Sequence, residues 1–388
     1  MTGLSAHIDR DFIGSSVDWP ALLPRIRASG TRHDRDGSFP FDNLARLHEA
    51  GILGLTVPAA LGGQEQGLAA SAEAVGWVAQ GCPSTALVLA MQLTKQAALA
   101  RGTSYAPALR ERIGRDAVRD GALLNSIRVE PDLGSPTRGG LPATTARRVP
   151  GGWRITGRKI YSTGAPGLTW FETLCRTEEL RPRLGTFMVR AGSPGLRIDE
   201  TWDHLGLRAS GSHDVVLDDV FVPDGQAGTL LTPGEGPPQR DDVQAAWNAG
   251  LLGALYDGVA RAGRDWLLEF LRERVPSNLG KPLASLPRAQ EVVGEIESLL
   301  AVNARLVASI AAETDAGAPP PAAEAGMLKV ALTRNAVEAV RLATTLAANH
   351  GLSRHNDLER CWRNVQCGPV HAPQADSAMI AGGKRALD

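Results

Sequence analysis

Apolar positions along this chain change their spacing twice. From residue 19 to about residue 120 they recur at helical intervals. Leu44, Leu47 and Ile52 share one face of a helix opening at Phe41, with Asp42 placed to cap it. Gly51, Gly54, Pro58, Gly62 and Gly63 then mark a loop. Two further helices are expected over 69–79 and 84–101, the second capped by the Ser84 hydroxyl. From 122 to about 223 Gly and Pro become frequent, and β-rich runs appear at 153–155, 171–176, 185–190 and 215–222. Gly157 is the expected turn of a small hairpin whose strands carry Ile155 and Ile160. The segment 202–223, WDHLGLRASGSHDVVLDDVFVP, reads as two short strands around a tight polar turn. Asp218 and Asp219 interrupt its apolar run, and Pro223 ends the pairing. A Gly/Pro-rich connection covers 224–239. Helical spacing then returns over 245–271, 290–312 and 322–349, with a break at 317–321. The wide apolar stripes of these last helices suit a bundle and contacts between subunits.

The pattern predicts an α+β multidomain chain. Its parts are a helical domain over 1–121, a small barrel- or sandwich-like β-domain over 122–228, and a helical domain over 229–388. The length of 388 residues suits two or three domains. A net charge of −1 gives no electrostatic case for nucleic acid or an anionic membrane. No apolar run approaches the roughly 20 residues needed to span a bilayer. The first residues, MTGLSAHIDRDF, lack the basic-then-apolar order of a signal peptide. Cys82, Cys175, Cys361 and Cys367 are scattered, without the pairing of a zinc site. Reduced thiols, a cytoplasmic location and no metal are therefore expected.

Two central stretches carry more. WRITGRKIYSTGAPGLTW (153–170) contains a G-x-K phrase followed by Tyr161-Ser162-Thr163-Gly164. In the 202–223 segment, Leu205-Gly206-Leu207-Arg208-Ala209-Ser210-Gly211-Ser212 precedes a Val-x-Val-Pro ending. Both phrases, in this order and spacing, resemble the middle domain of the acyl-CoA dehydrogenase superfamily. The resemblance runs from about Phe41 to the C-terminus. It implies an N-terminal helical domain, a β-domain and a C-terminal four-helix bundle, with FAD (or FMN) held between the last two. It also implies a homotetramer, because members build the flavin site partly from a neighbouring subunit.

The resemblance assigns residues as well. Thr163 matches the threonine that meets flavin N5, Tyr161 the aromatic beside the ring, and Ser162 lies between them. NSIRVEPDLGS (125–135) is similar to the loop lining flavin and ligand, with Glu130, Pro131, Gly134 and Ser135 in place. Val129 stands where many members carry a threonine, so only its backbone can donate to the pyrimidine edge. Arg274, with Arg272 beside it, resembles the arginine that reaches the cofactor pyrophosphate of a neighbouring subunit. His350 and Gly351 resemble the loop that closes over the ADP portion. Glu359 and Arg363 read as a structural ion pair.

The departure lies at the catalytic base. A dehydrogenase of this kind removes an α-proton of a thioester with a positioned carboxylate. Here Ala372 stands at one of the two family positions for it and Val243 near the other. Asp241, Asp242 and Asp376 are close in sequence but miss both. His371, after Trp362-Arg363-Asn364, instead resembles the reduced-flavin-dependent monooxygenase branch, which includes dibenzothiophene monooxygenase. That branch needs a dry pocket, in which a histidine can supply a hydrogen bond or a proton. Gln92 sits where some such members carry a pocket histidine. Three readings follow: a flavin-dependent oxidation of an acyl-CoA or similar CH–CH substrate with a non-standard base; a two-component monooxygenase of a small aromatic or heterocyclic compound, served by a separate flavin reductase or electron-transfer partner; or a degenerate scaffold subunit.

Overall fold

The computed structural model describes residues 17–132, 140–232 and 241–388. The helical N-terminal part consists of α1 (Trp19–Asp36), α2 (Phe41–Glu49), α3 (Leu68–Gly81), α4 (Pro83–Arg101) and α5 (Pro107–Asp120). Neither predicted cap is used. Pro40 and Cys82 occupy the cap positions of α2 and α4 without a side-chain bond. Asp42 lies inside the first turn of α2 and is drawn to charge instead, pairing with His33, Arg32 and Arg46. Ser84 Oγ accepts from the Ala209 N–H at 3.2 Å, a bond from α4 to the sheet domain.

Seven strands follow: β1 (Leu123–Ile127), β2 (Thr145–Val149), β3 (Gly152–Lys159), β4 (Leu168–Thr177), β5 (Leu184–Arg190), β6 (Leu196–Asp199) and β7 (Asp214–Pro223). The path is β1-β4-β2-β3-β7-β6, with β5 on β4. β1 and β2 run parallel to β4; the remaining pairs are antiparallel.

Two sequence expectations change here. Gly157 is not a hairpin turn: it lies inside β3 at a register shift opposite β7, and Gly151, at φ 78°, turns β2 into β3. The glycine is needed because a Cβ at 157 would lie 2.4 Å from Thr144 Oγ1. Nor is 202–223 two strands about a turn. Residues 208–210 form a short 3₁₀ turn, and 214–223 is one continuous strand. Asp219, at φ 50°, makes a bulge that keeps Val215 and Leu217 on the same buried face as Val220 and Val222.

The C-terminal part holds α6 (Asp242–Glu273), α7 (Pro287–Asp315), α8 (Ala322–Ala347), α9 (Asn349–Leu352), α10 (Asp357–Val365) and α11 (Ala375–Leu387). α6 packs along α3 closely enough that a Cβ on Gly258 would lie 2.5 Å from the Gly76 carbonyl oxygen. One continuous core joins the three parts through Val75, Leu89, Ile155, Val215, Leu255 and Val340. Among the described residues, no helix is long and apolar enough to cross a membrane.

Candidate functional site

The centre is a bend that leaves β3. Ile160 N–H donates to Val129 O at 2.9 Å, and Tyr161 then takes φ 55°. That left-handed step is costly for a non-glycine residue and is held by what surrounds it. Ser162 N–H donates to His213 O at 3.1 Å and Gly164 N–H to Ser210 O at 2.9 Å. Asn125, on β1, donates to Thr163 O at 3.0 Å. Thr163 Oγ1 bonds Ser212 Oγ at 3.0 Å, and Ser212 Oγ bonds Ser210 Oγ at 2.8 Å. The two sequence phrases thus form one hydroxyl-lined seam. Ser162 Oγ is buried with no protein partner, and Tyr161 is exposed. The Tyr161 ring meets Trp202 and His204 edge-on, and those two rings stack 3.6 Å apart.

The second half of the seam is anchored from all sides. Leu207 N–H donates to Asn364 Oδ1 on α10 at 2.6 Å, and Arg208 Nε donates to Asp34 O on α1 at 2.8 Å. Arg363 grips Glu359 through two bonds, as expected, and extends to Asp34 at 2.6 Å.

Below the bend lies a buried ion pair. Lys159 Nζ donates to Glu130 Oε1 at 2.6 Å, with side chains 0% and 2% exposed. Thr144 donates to the same oxygen through Oγ1 at 2.6 Å and its N–H at 3.0 Å. Burial pushes the Glu130 carboxyl up, but the bonds from Lys159 and Thr144 outweigh it and hold the group below the usual carboxylate range. Val129 is fixed between this pair and Ile160. Ser135 lies outside the described residues.

His371 lies between α10 and α11. Its Nε2 is buried with no protein partner, and its ring centroid is 5.8 Å from that of Tyr256 on α6, whose hydroxyl is likewise buried and unpartnered. Burial, and then the charge of Lys329, push the imidazole down to about 4. The next residue is tied to α6, because Asn248 donates to Ala372 O at 2.9 Å. Gln92 is placed differently. It is buried on α4, its amide donating to Leu53 O and Ala122 O and accepting from the Leu124 N–H at 2.7 Å. All of these partners are backbone, so Gln92 fastens α4 to β1. Replacing it with leucine leaves buried backbone groups unpaired. An expected loss of about 1–3 kcal/mol in urea unfolding checks this, with flavin affinity unchanged.

Arg272 and Arg274 are exposed at the far end of α6. His350, also exposed, packs on Phe270 with ring centroids 5.0 Å apart, and Gly351 is buried against Thr344. These four residues therefore gather at one place. At about 1.5 Å per residue, the 248–272 stretch of α6 puts them about 36 Å along the axis from the Asn248–Ala372 contact. Among the described residues, no group of three or more His, Cys, Asp or Glu could hold a metal ion.

The decisive partners of the bend were not singled out from sequence. Asn125, Ser210, Ser212 and Asn364 each act through a bond that crosses a long sequence separation. Only their presence inside or beside the quoted phrases marked them.

A central curled sheet between two helical parts, with a hydroxyl-lined seam tied to α10, defines a flavoenzyme-type three-domain architecture. The chain belongs to the acyl-CoA dehydrogenase family. Its N-terminal, middle and C-terminal domain families match residues 25–105, 129–220 and 244–372. YdbM of Bacillus subtilis (strain 168), whose name marks it as a candidate acyl-CoA dehydrogenase, is 34% identical, covering 93% of this chain and 94% of that one. The L-evernosamine nitrososynthase of a Micromonospora species is 29% identical over 91% of this chain and 84% of its own. The crystal structure of KijD3 with FMN and a dTDP-amino-keto sugar has 31% identity and a TM-score of 0.82, covering 95% of this chain and 91% of that one. FMN-bound TdsC from Paenibacillus, at 20% identity and TM-score 0.85 over 94% and 95% of the two chains, shares the fold.

Proposed function

We propose that this chain is the oxygenase component of a two-component flavin monooxygenase. One observation carries the reading: where a dehydrogenase needs its carboxylate, the chain places Ala372 beside His371, whose buried Nε2 has no protein partner. The carboxylates close in sequence are committed elsewhere. Asp241 Oδ1 accepts from the Gln244 N–H at the start of α6, and Asp242 Oδ1 from the Ala322 N–H at the start of α8. Asp376 Oδ1 accepts from the Ser377 N–H at the start of α11.

The residues present fit a flavin. The bend offers a threonine hydroxyl, backbone polar groups and an exposed aromatic ring, while Ser162 Oγ and His371 Nε2 are buried polar atoms without protein partners. Thr163, Ser162, Tyr161 and Val129 would hold the isoalloxazine. When bound and reduced, the flavin supplies the two electrons that let dioxygen give one atom to substrate and the other to water. The protein's own task is to orient the substrate, exclude water and offer a neutral imidazole at Nε2. Arg272, Arg274, His350 and Gly351 would serve the cofactor of a neighbouring copy, in a cytoplasmic homotetramer fed by a separate flavin reductase. Reduced FMN or FAD would serve. Amino sugars on nucleotide carriers, suggested by the nitrososynthase relatives, belong in the first substrate panel beside aromatic heterocycles.

A second reading, dehydrogenation of an acyl thioester, is favoured by the similarity to YdbM. Anaerobic titration of flavin-loaded protein with acyl-CoA thioesters separates the two. The oxidised flavin band is expected to persist with every thioester, whereas bleaching by any of them would overturn the monooxygenase reading.

A further inference from the structure

Lys329 is a buried cation on α8, 1% exposed. Its ammonium donates to Gly368 O at 2.9 Å, to His371 O at 2.6 Å and to Pro373 O at 3.4 Å. All three carbonyls belong to the single loop between α10 and α11. A buried ammonium has three protons to place and costs several kcal/mol if they are not placed. Here every partner found for them is main chain from one short segment. The arrangement fixes the path of the loop, and it sets a positive charge against the backbone of His371. The loop is held from α6 as well, by Asn248 on Ala372 O at 2.9 Å.

We propose that Lys329 is the positioning residue of this site: its buried ammonium clamps the 368–373 loop through three main-chain carbonyls and so sets where the His371 imidazole stands. The inference rests on the role given to His371 above, but its test does not. Burial alone pushes Lys329 down to about 8, so it carries its charge at neutral pH. Beside His371, that charge disfavours a second cation. The other groups around the imidazole are weak opponents. Tyr256 on α6 is a neutral phenol whose pKa burial raises well above its ordinary value. Cys367, beyond the end of α10, is a thiol pushed up to about 11 by burial. Asp376, in the first turn of α11, is exposed and bonds Ser377. Charge from Lys329 therefore acts with burial, and both push the imidazole in the same direction.

Full-length protein labelled with [13Cε1]histidine reads the imidazole directly, without turnover. The His371 signal is assigned by its loss in His371→Asn. In the parent protein it is expected to titrate near about 4, well below an ordinary histidine. In Lys329→Met its midpoint is expected to move up by about 0.5 in pH or more. Lys329→Gln keeps donors for the carbonyls without the charge. It is expected to show the same upward movement with a smaller loss of thermal stability. A parent midpoint near 6.5, or an unmoved midpoint in folded Lys329→Met or Lys329→Gln, overturns the proposal. Should Lys329→Met fail to fold, Lys329→Gln, which keeps donors for the carbonyls, decides the question. An outcome in which His371 titrates as expected but His371→Ala leaves turnover intact removes the catalytic reading and keeps the clamp.

Discussion

Lys159→Met is expected to cost about 3–5 kcal/mol, the largest stability effect of any single substitution discussed. The variant leaves the Glu130 carboxylate sealed in the sheet domain without its cation, and such a charge is far more costly to bury than a neutral group. Three donors remain on Glu130, from Ala143 N–H, Thr144 N–H and Thr144 Oγ1, but they do not neutralise it. Adding Glu130→Gln to Lys159→Met is therefore expected to recover part of the loss. The pH dependence has a definite sign. Glu130 is held below its ordinary value in the folded protein, so its contribution is present above the unfolded carboxylate range and fades as pH falls through the folded value. In Lys159→Met the orphaned carboxyl takes up a proton more readily, so the gap between parent and variant should narrow on acidification. Urea midpoints at neutral pH and below 4 check both statements. An equal gap at the two values would mean that packing of the lysine stem, and not its charge, is what the pair contributes.

This pair shows how far the sequence could be read. Glu130 and Lys159 both stood in quoted phrases, yet nothing in the linear pattern joined them across 29 residues. The alternation of helix, sheet and helix was legible because each part keeps a strong period of its own. The long helix α6 was placed within a few residues at each end, since its apolar stripe runs unbroken. Strands β1, β2 and β6 were not picked out. They are four or five residues long and show no clean alternation of buried and exposed positions. Gly157 misled because a glycine inside a strand and one in a turn look alike in sequence; the neighbour that excludes a side chain, Thr144, comes from the residue just before β2. Lys329 was invisible for a related reason. A single lysine in an amphipathic helix reads as a solvated residue, and only the return of the 368–373 loop makes it a buried cation. The bonds of Gln92 were hidden too. Its position suggested a pocket group, but the amide's donors and acceptor fall on backbone that the sequence does not reveal.

His371→Ala is expected to lower substrate oxygenation by about 10²-fold or more, the usual scale of a lost proton donor or acceptor, while flavin affinity stays near that of the parent. The expectation follows from what the imidazole can do where it sits. Its Nε2 faces no protein partner, so its free valence is available to a bound molecule. It stays neutral down to about 4, so at ordinary pH it offers one N–H and one lone pair and never a competing charge. The acid limb of the histidine-dependent rate should accordingly fall near pH 4 instead of near 6.5. The same shift carries a stability sign: an unfolded histidine takes up its proton below about 6.5, the folded one only near 4, so stability declines as pH falls through that window. Coupled assays with a flavin reductase, NADH and oxygen give the comparison. In the variant, electrons should still leave the reduced flavin, but a larger share should appear as hydrogen peroxide and a smaller share in product. Unchanged coupling in His371→Ala would show that the imidazole only fills space, and the search for the proton donor would pass to Tyr256, the neighbouring buried hydroxyl that also lacks a protein partner.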